Sequence, residues 1–481
     1  MAFNSLSFLA FFVATAFLYW MIPHRFRNWL LLVASYYFYA SWRAEYLILL
    51  VAMTLLNYAA GLAMEREQAE RRRKIYLSLS LIGSFGILFA FKYVGFAVQS
   101  LNLAIDLLGV SIELPVPQIL LPVGISFFTF QAVGYSIDVF RRRQSAERNI
   151  GIFALFVSFF PQLVAGPIER ASHLLPQFRE KHAFSYAGAT SGLKLMAWGF
   201  FKKLVIADRI AIAVNNVYNH PTDFTGFPLL LATYLFAFQI LCDFSAYTDI
   251  ARGAARVLGF DLMENFRRPY FATSVRDFWR RWHISLTSWF RDYLYFPLGG
   301  NRVNTWRWFL NLAIVFVVSG LWHGAGRTFV IWGGLHAFFL IMGIVTKPLR
   351  ERIANRLLGE RLGGARKLFQ MFVTFNLVSF AWIFFRANSV RQAWYVISHL
   401  FSDFHISTHF VGIGIGPYEF GIAIFAILAL LIVDLLQERG SVLARVAVLP
   451  VALRWAIYYA VLFSILFLGE FGYEEFIYFQ F

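Results

Sequence analysis

Three clusters of residues in this 481-residue chain have the types and spacing that chemistry needs. Ser319-Gly-Leu-Trp-His-Gly-Ala-Gly326 places His323 at the end of one apolar stretch, just before another begins. Imidazole is the side chain best matched to take a proton near neutral pH, and flanking glycines let a substrate come close. Against that stands a plain packing role, in which a buried histidine only shares a hydrogen bond. His336, in Trp332-Gly-Gly-Leu-His-Ala337, sits inside the following stretch, where it could simply bind a neighbouring carbonyl. The second cluster runs Asp243-Phe-Ser-Ala-Tyr-Thr-Asp249, Asn265-Phe-Arg-Arg-Pro269 and Val275-Arg-Asp-Phe-Trp-Arg-Arg-Trp-His283, continuing to Asp292. Ionisable groups in a membrane cost at least about 3 kcal/mol each, so this density implies pairing, water or an interfacial site. An interfacial helix whose arginines meet lipid phosphates is the alternative. The third cluster is the aromatic terminus Phe476-Ile-Tyr-Phe-Gln-Phe481, which either pins the tail at the interface or offers the Tyr478 hydroxyl as an acyl acceptor.

Other patterns exclude chemistry. His405 and His409 have a helical i,i+4 spacing, but no carboxylate or cysteine completes a metal set, so no metal site is expected. Gly412-Ile-Gly-Ile-Gly416 lacks the strand and helix of a dinucleotide loop, and no phosphate-binding Gly-x-x-x-x-Gly-Lys motif occurs, which argues against an ATP-driven pump. His399 and Asp403 fall one residue short of the His-x-x-x-x-Asp pattern of soluble-type acyltransferases. Cys242 is the sole cysteine, so no intramolecular disulfide can form.

The elements that must position these residues are membrane helices. Hydrophobic residues make up 59% of the chain and charged residues 15%, and the apolar ones fall in repeated stretches near 6–22, 46–64, 75–94, 311–322, 329–345, 368–385, 420–435 and 453–468. At about twenty residues per crossing, the length predicts roughly eleven or twelve spans. The expected fold is therefore an all-α polytopic transmembrane bundle with re-entrant and interfacial helices. No basic region precedes the first stretch, which reads as a retained helix. The net charge of +16 belongs to a positive-inside bias rather than to nucleic acid. Basic clusters at Arg25/Arg27, Arg66, residues 71–74, 141–143 and 347–367 read as cytosolic, whereas 99–118 and 402–416 carry no Lys or Arg. Both termini are then expected on the exported side. Without a linker or repeat, residues 1–481 read as one domain, with a catalytic core near 120–340 and a tail at 470–481. In Phe160-Pro-Gln-Leu-Val-Ala-Gly-Pro-Ile-Glu-Arg170 the Pro and Gly residues break any spanning helix, suggesting a re-entrant segment beside a cavity, or a surface loop.

Six ordered motifs, Leu121 to Gln131, Pro161 to Arg170, Asp243 to Gly253, Asp277 to His283, Ser319 to Gly324 and Phe476 to Phe481, together resemble the membrane-bound O-acyltransferases. The similar branch is the bacterial one that serves O-acetylation of alginate and D-alanylation of teichoic acid. That resemblance implies a helical bundle with a tunnel, an essential His323, a nearby assisting His283, and Tyr478 as an acyl relay. It also implies acetyl-coenzyme A as donor, its phosphates met by Arg267, Arg268, Arg276, Arg280 or Arg281, with no tightly bound cofactor. An exported SGNH-type acetyltransferase would be the partner and a polysaccharide such as alginate, cellulose or peptidoglycan the acceptor, in the bacterial inner membrane. The rival readings are a D-alanyl, lipid or protein O-acyltransferase, an anchoring scaffold, and a transporter whose polar midsection relays protons.

Overall fold

A computed structural model describes residues 1–358, 363–403, 410–472 and 476–477. Among them the regular elements are helices. In chain order they are α1 (Leu6–Met21), α2 (His24–Ala40), α3 (Leu47–Arg66), α4 (Glu70–Lys92), α5 (Val94–Leu107), α6 (Ile125–Phe140), α7 (Ile150–Ser158), α8 (Phe160–Leu163), α9 (Ala171–Arg179), α10 (Tyr186–Phe200) and α11 (Asp208–Asn219). A π-helix, Phe201–Ala207, joins α10 to α11. There follow α12 (Phe227–Val257), α13 (Val275–Arg281), α14 (Ile284–Phe290), α15 (Thr305–His323), α16 (Arg327–Val345), α17 (Lys347–Leu358), α18 (Gly363–Arg386), α19 (Val390–His399), α20 (Pro417–Gln437), α21 (Val442–Ala447) and α22 (Val451–Leu468).

Eight described helices are long and apolar enough to cross a membrane: α3 with its preceding turn, α4, α12, α15, α16, α18, α20 and α22. The chain is thus an all-α polytopic membrane protein. The expectation is roughly eleven or twelve crossings, and these eight are the described helices that qualify by length and composition alone. Helices α1, α5 and α6 are apolar but only 14 to 16 residues long. The stretch from α10 to α11 is long enough but buries Lys202, Lys203, Asp208 and Arg209.

The chain divides into two compact units, residues 1–196 with 250–263, and residues 197–249 with 264–481. Within the first, Asn57 knots α3 to α4 and α6. Its amide donates to Ser84 Oγ, and its carbonyl accepts from Ser80 Oγ at 2.8 Å and Ser136 Oγ at 2.7 Å. In an apolar bundle such side-chain bonds replace the missing hydrophobic drive between helices. Buried Arg73 caps the ends of α3 and α6 by donating to the carbonyls of Met64, Val139 and Phe140. The Pro161 to Arg170 segment is a buried one-turn helix followed by irregular backbone rather than a surface loop. Its groups are met by protein: Gly166 N–H donates to Gln162 O, and Glu169 accepts from Met263 N–H and holds His173 at 2.8 Å. Irregular backbone is tolerated at such depth only when covered in this way.

In the second unit, α15 and α16 form a hairpin in which glycines bring the backbones together. A Cβ on Gly333 would stand 2.2 Å from Phe316 O, and one on Gly320 2.2 Å from Phe329 O. Substituting Gly333→Val should therefore destabilise the protein by at least about 1–3 kcal/mol, since the hairpin must open. By contrast Gly334→Ala, which meets nothing within 4 Å, should leave the thermal midpoint in detergent unchanged or slightly raised.

Candidate active site

His323 is the last residue of α15 and 2% exposed; His283 is fully buried. Their ring centroids lie 6.1 Å apart. Both belong to the second unit, although forty residues of sequence separate them.

The position of His323 follows from the hairpin. Gly324 ends α15, and a Cβ there would stand 2.0 Å from the Phe329 ring. Gly324, beside His323, thus serves the close return of the chain into α16. Aromatic rings then enclose the imidazole: Trp322 at 4.9 Å, Trp332 at 5.0 Å and Phe385 at 5.4 Å, with Trp382 stacked on Trp332.

The position of His283 follows from a clipped turn. Helix α13 ends at Arg281, and His283 takes the left-handed conformation, φ 44°, before α14 begins. That conformation is uncommon outside glycine and persists only where surroundings over-determine it. Asn265, completely buried, does so: its carbonyl accepts the Ile284 N–H at 2.9 Å and its Oδ1 the Ser285 N–H at 3.1 Å. Alongside, Arg267 N–H donates to Arg281 O. The ring of His283 is then held between Phe244 at 4.7 Å and Trp322 at 5.6 Å. His336, also completely buried, accepts at Nδ1 from Trp279 Nε1–H at 3.3 Å, an indole rather than the carbonyl anticipated from its helical setting.

The five arginines expected to meet phosphates divide. Arg268 and Arg281 both bind Glu438, at 2.6 and 2.8 Å, and Arg281 also binds Asp277 at 3.1 Å. Burial alone would raise the Glu438 carboxyl, but these two guanidinium bonds hold it below its ordinary value. Arg267 pairs with Glu264. Arg276 and Arg280 stand exposed on α13. His405, His409 and Tyr478 lie outside the described residues.

Reading along the sequence missed Asn265 as the clip of His283, and it missed Lys203. Lys203 Nζ, 1% exposed, lies 2.7 Å from Asp208 and 2.8 Å from Asp243. The signal was available, since a lysine pair inside an apolar run demands a carboxylate partner.

What such a site can do is move a proton in a dry, aromatic environment, where electrostatic interactions are strong. Residues 34–380, which include both histidines, match the model of the MBOAT, membrane-bound O-acyltransferase family. The chain belongs to this family. It is an O-acyltransferase and a multi-pass membrane protein. It is 39% identical over 407 residues to a probable alginate O-acetylase of Pseudomonas aeruginosa, covering 84% of this chain and 75% of that protein. A peptidoglycan O-acetyltransferase of Helicobacter pylori is 35% identical over 418 residues, covering 82% and 76%. A teichoic acid D-alanyltransferase of Bacillus subtilis is 29% identical over 235 residues, covering 45% and 57%.

If Asn265 acts by fixing His283, Asn265→Ala should lower kcat by about 10- to 100-fold with little change in the donor KM, because small misplacement of a reacting group is costly. Asn265→Asp, which keeps an acceptor for the Ser285 N–H, should recover part of that loss. Equal losses in kcat and in folded protein for both variants would contradict the positioning role.

Proposed function

We propose that this acyltransferase moves an acetyl group from cytosolic acetyl-coenzyme A across the bacterial cytoplasmic membrane for O-acetylation of an exported polysaccharide, whether alginate-like, cellulose or peptidoglycan. The observation that carries the reading is the buried pair His283 and His323, 6.1 Å apart inside an aromatic enclosure. The acetyl group is favoured over D-alanyl because likeness to the O-acetylating relatives extends over more than four-fifths of the chain, against 45% for the D-alanyltransferase.

In this mechanism residues 1–481 work as one acyltransferase domain, with its core near 120–340. Arg276 and Arg280, exposed and one helical turn apart, meet the phosphates of the donor at the cytosolic mouth. The thioester arm enters the bundle. His323 acts as general base and takes the proton of the Tyr478 hydroxyl as that oxygen attacks the thioester carbonyl. The carbon–sulfur bond breaks, the imidazolium returns the proton to the coenzyme A thiolate, and an acetyl ester remains on Tyr478. His283 positions the reacting groups. Phe476, packed against the Phe244 ring that contacts His283, supports a relay on Tyr478 two residues later. Both termini face the exported side, where an SGNH-type acetyltransferase receives the group and transfers it to the polymer.

The deciding experiment incubates purified protein in detergent with acetyl-labelled coenzyme A, following thioester cleavage and protein-bound label. Wild type should do both. His323→Ala should lose both by about 100-fold or more, and Tyr478→Phe should lose the label. Absence of cleavage by wild type, even with its exported partner added, would overturn acetyl-coenzyme A as donor and favour a conduit without chemistry.

A further inference from the structure

We infer that the buried pair Lys203 and Asp243 is a dock for the C-terminal aromatic segment, and that Asp243 is the residue that sets the segment's register against the site. This inference rests on the reading of that segment as the acyl relay.

The argument begins with an imbalance of charge. Lys203 and Asp243 are 1% and 3% exposed, and the one ammonium of Lys203 is shared between Asp208 Oδ1 and Asp243 Oδ1. A buried carboxylate whose ammonium is shared needs further donors. Asp243 Oδ2 accepts one from the far end of the chain, the Ile477 N–H, at 2.8 Å. A backbone N–H is an unselective donor, so selectivity must come from the side chains beside it. Phe476 supplies it: fully buried, its ring lies 4.2 Å from Tyr247 and 5.7 Å from Phe244. Asp243, Phe244 and Tyr247 stand within a single turn of α12, so one helix turn presents both the anion and the aromatic slot.

A second anchor lies seven residues upstream of Ile477. Glu470 N–H donates to Leu204 O at 2.9 Å, within the π-helix that also carries Lys203. A π turn interrupts the regular ladder, and such turns concentrate at functional sites. Arg209 holds the same point by binding Glu470 at 3.0 Å and Leu468 O at 2.6 Å. The Glu470 and Ile477 amides, seven residues apart, thus anchor Phe476 and Ile477 on the dock. Because Phe244 also packs edge-on against His283 at 4.7 Å, the dock and the histidine pair share a ring.

The test uses the full chain in detergent. With Phe476 replaced by a photo-activatable benzophenone phenylalanine, irradiation should give cross-links to residues 243–247; cross-links elsewhere overturn the dock. With acetyl-labelled coenzyme A as probe, Asp243→Ala should lower kcat for protein-bound label by about tenfold or more, leaving the donor KM unchanged. Asp243→Asn, which keeps an oxygen for the Ile477 N–H, should recover part of the rate. Wild-type kcat in Asp243→Ala, or equal losses in Ala and Asn variants together with a lowered Tm, would overturn the positioning role. Should Asp243→Ala fail to fold, the cross-link map in the otherwise native chain decides. If Tyr478→Phe keeps full labelling while the cross-links fall on 243–247, the relay reading fails and the dock stands.

Discussion

Hydrocarbon offers no hydrogen bonds, so each polar group a membrane bundle carries inward must find its partner within the protein. The rest of this structure depends on how that demand is met. Asn57 meets it with two serines on one helix and a third on another, which fixes three helices at once. Arg73 meets it with three terminal carbonyls. Lys203 meets it with two aspartates, and one of these accepts the Ile477 N–H. The same groups that would be costly alone become the points that define the packing, because a satisfied buried network has few alternative arrangements.

The histidine pair is held by the same logic. His283 stands in a backbone conformation that a non-glycine residue seldom keeps, and a buried asparagine clips the turn around it. His323 is held by a helical hairpin whose glycines allow no gap. Around both, tryptophan and phenylalanine rings supply bulk with few rotatable bonds, which holds the imidazoles in place at low entropic cost.

Charge near the site is largely committed to structure. Glu438 takes two arginines, and Asp277 shares one of them, so the basic run that reads as a phosphate site also closes α13 onto the end of α20. Exposure is what distinguishes Arg276 and Arg280, each one position before its committed neighbour on α13. Type and spacing could not separate the two groups, since the partner, Glu438, lies some 160 residues away.

The sequence by itself determined the class of molecule: runs of apolar residues near the length of a bilayer crossing, broken by Pro and Gly where α8 and the α15–α16 turn occur, admit a helical membrane protein. It also brought out both histidines and the family, because composition, period and local motif are properties of neighbouring residues. By length and composition, eight of the described helices qualify as crossings, and α1, apolar but 16 residues long, falls below that length. Tertiary structure alone decided that His283 and His323 lie side by side, that Asn265 clips the turn after the first, and that Asp243 holds Ile477. Those relations join residues 19 to 234 positions apart, and only packing in three dimensions selects them.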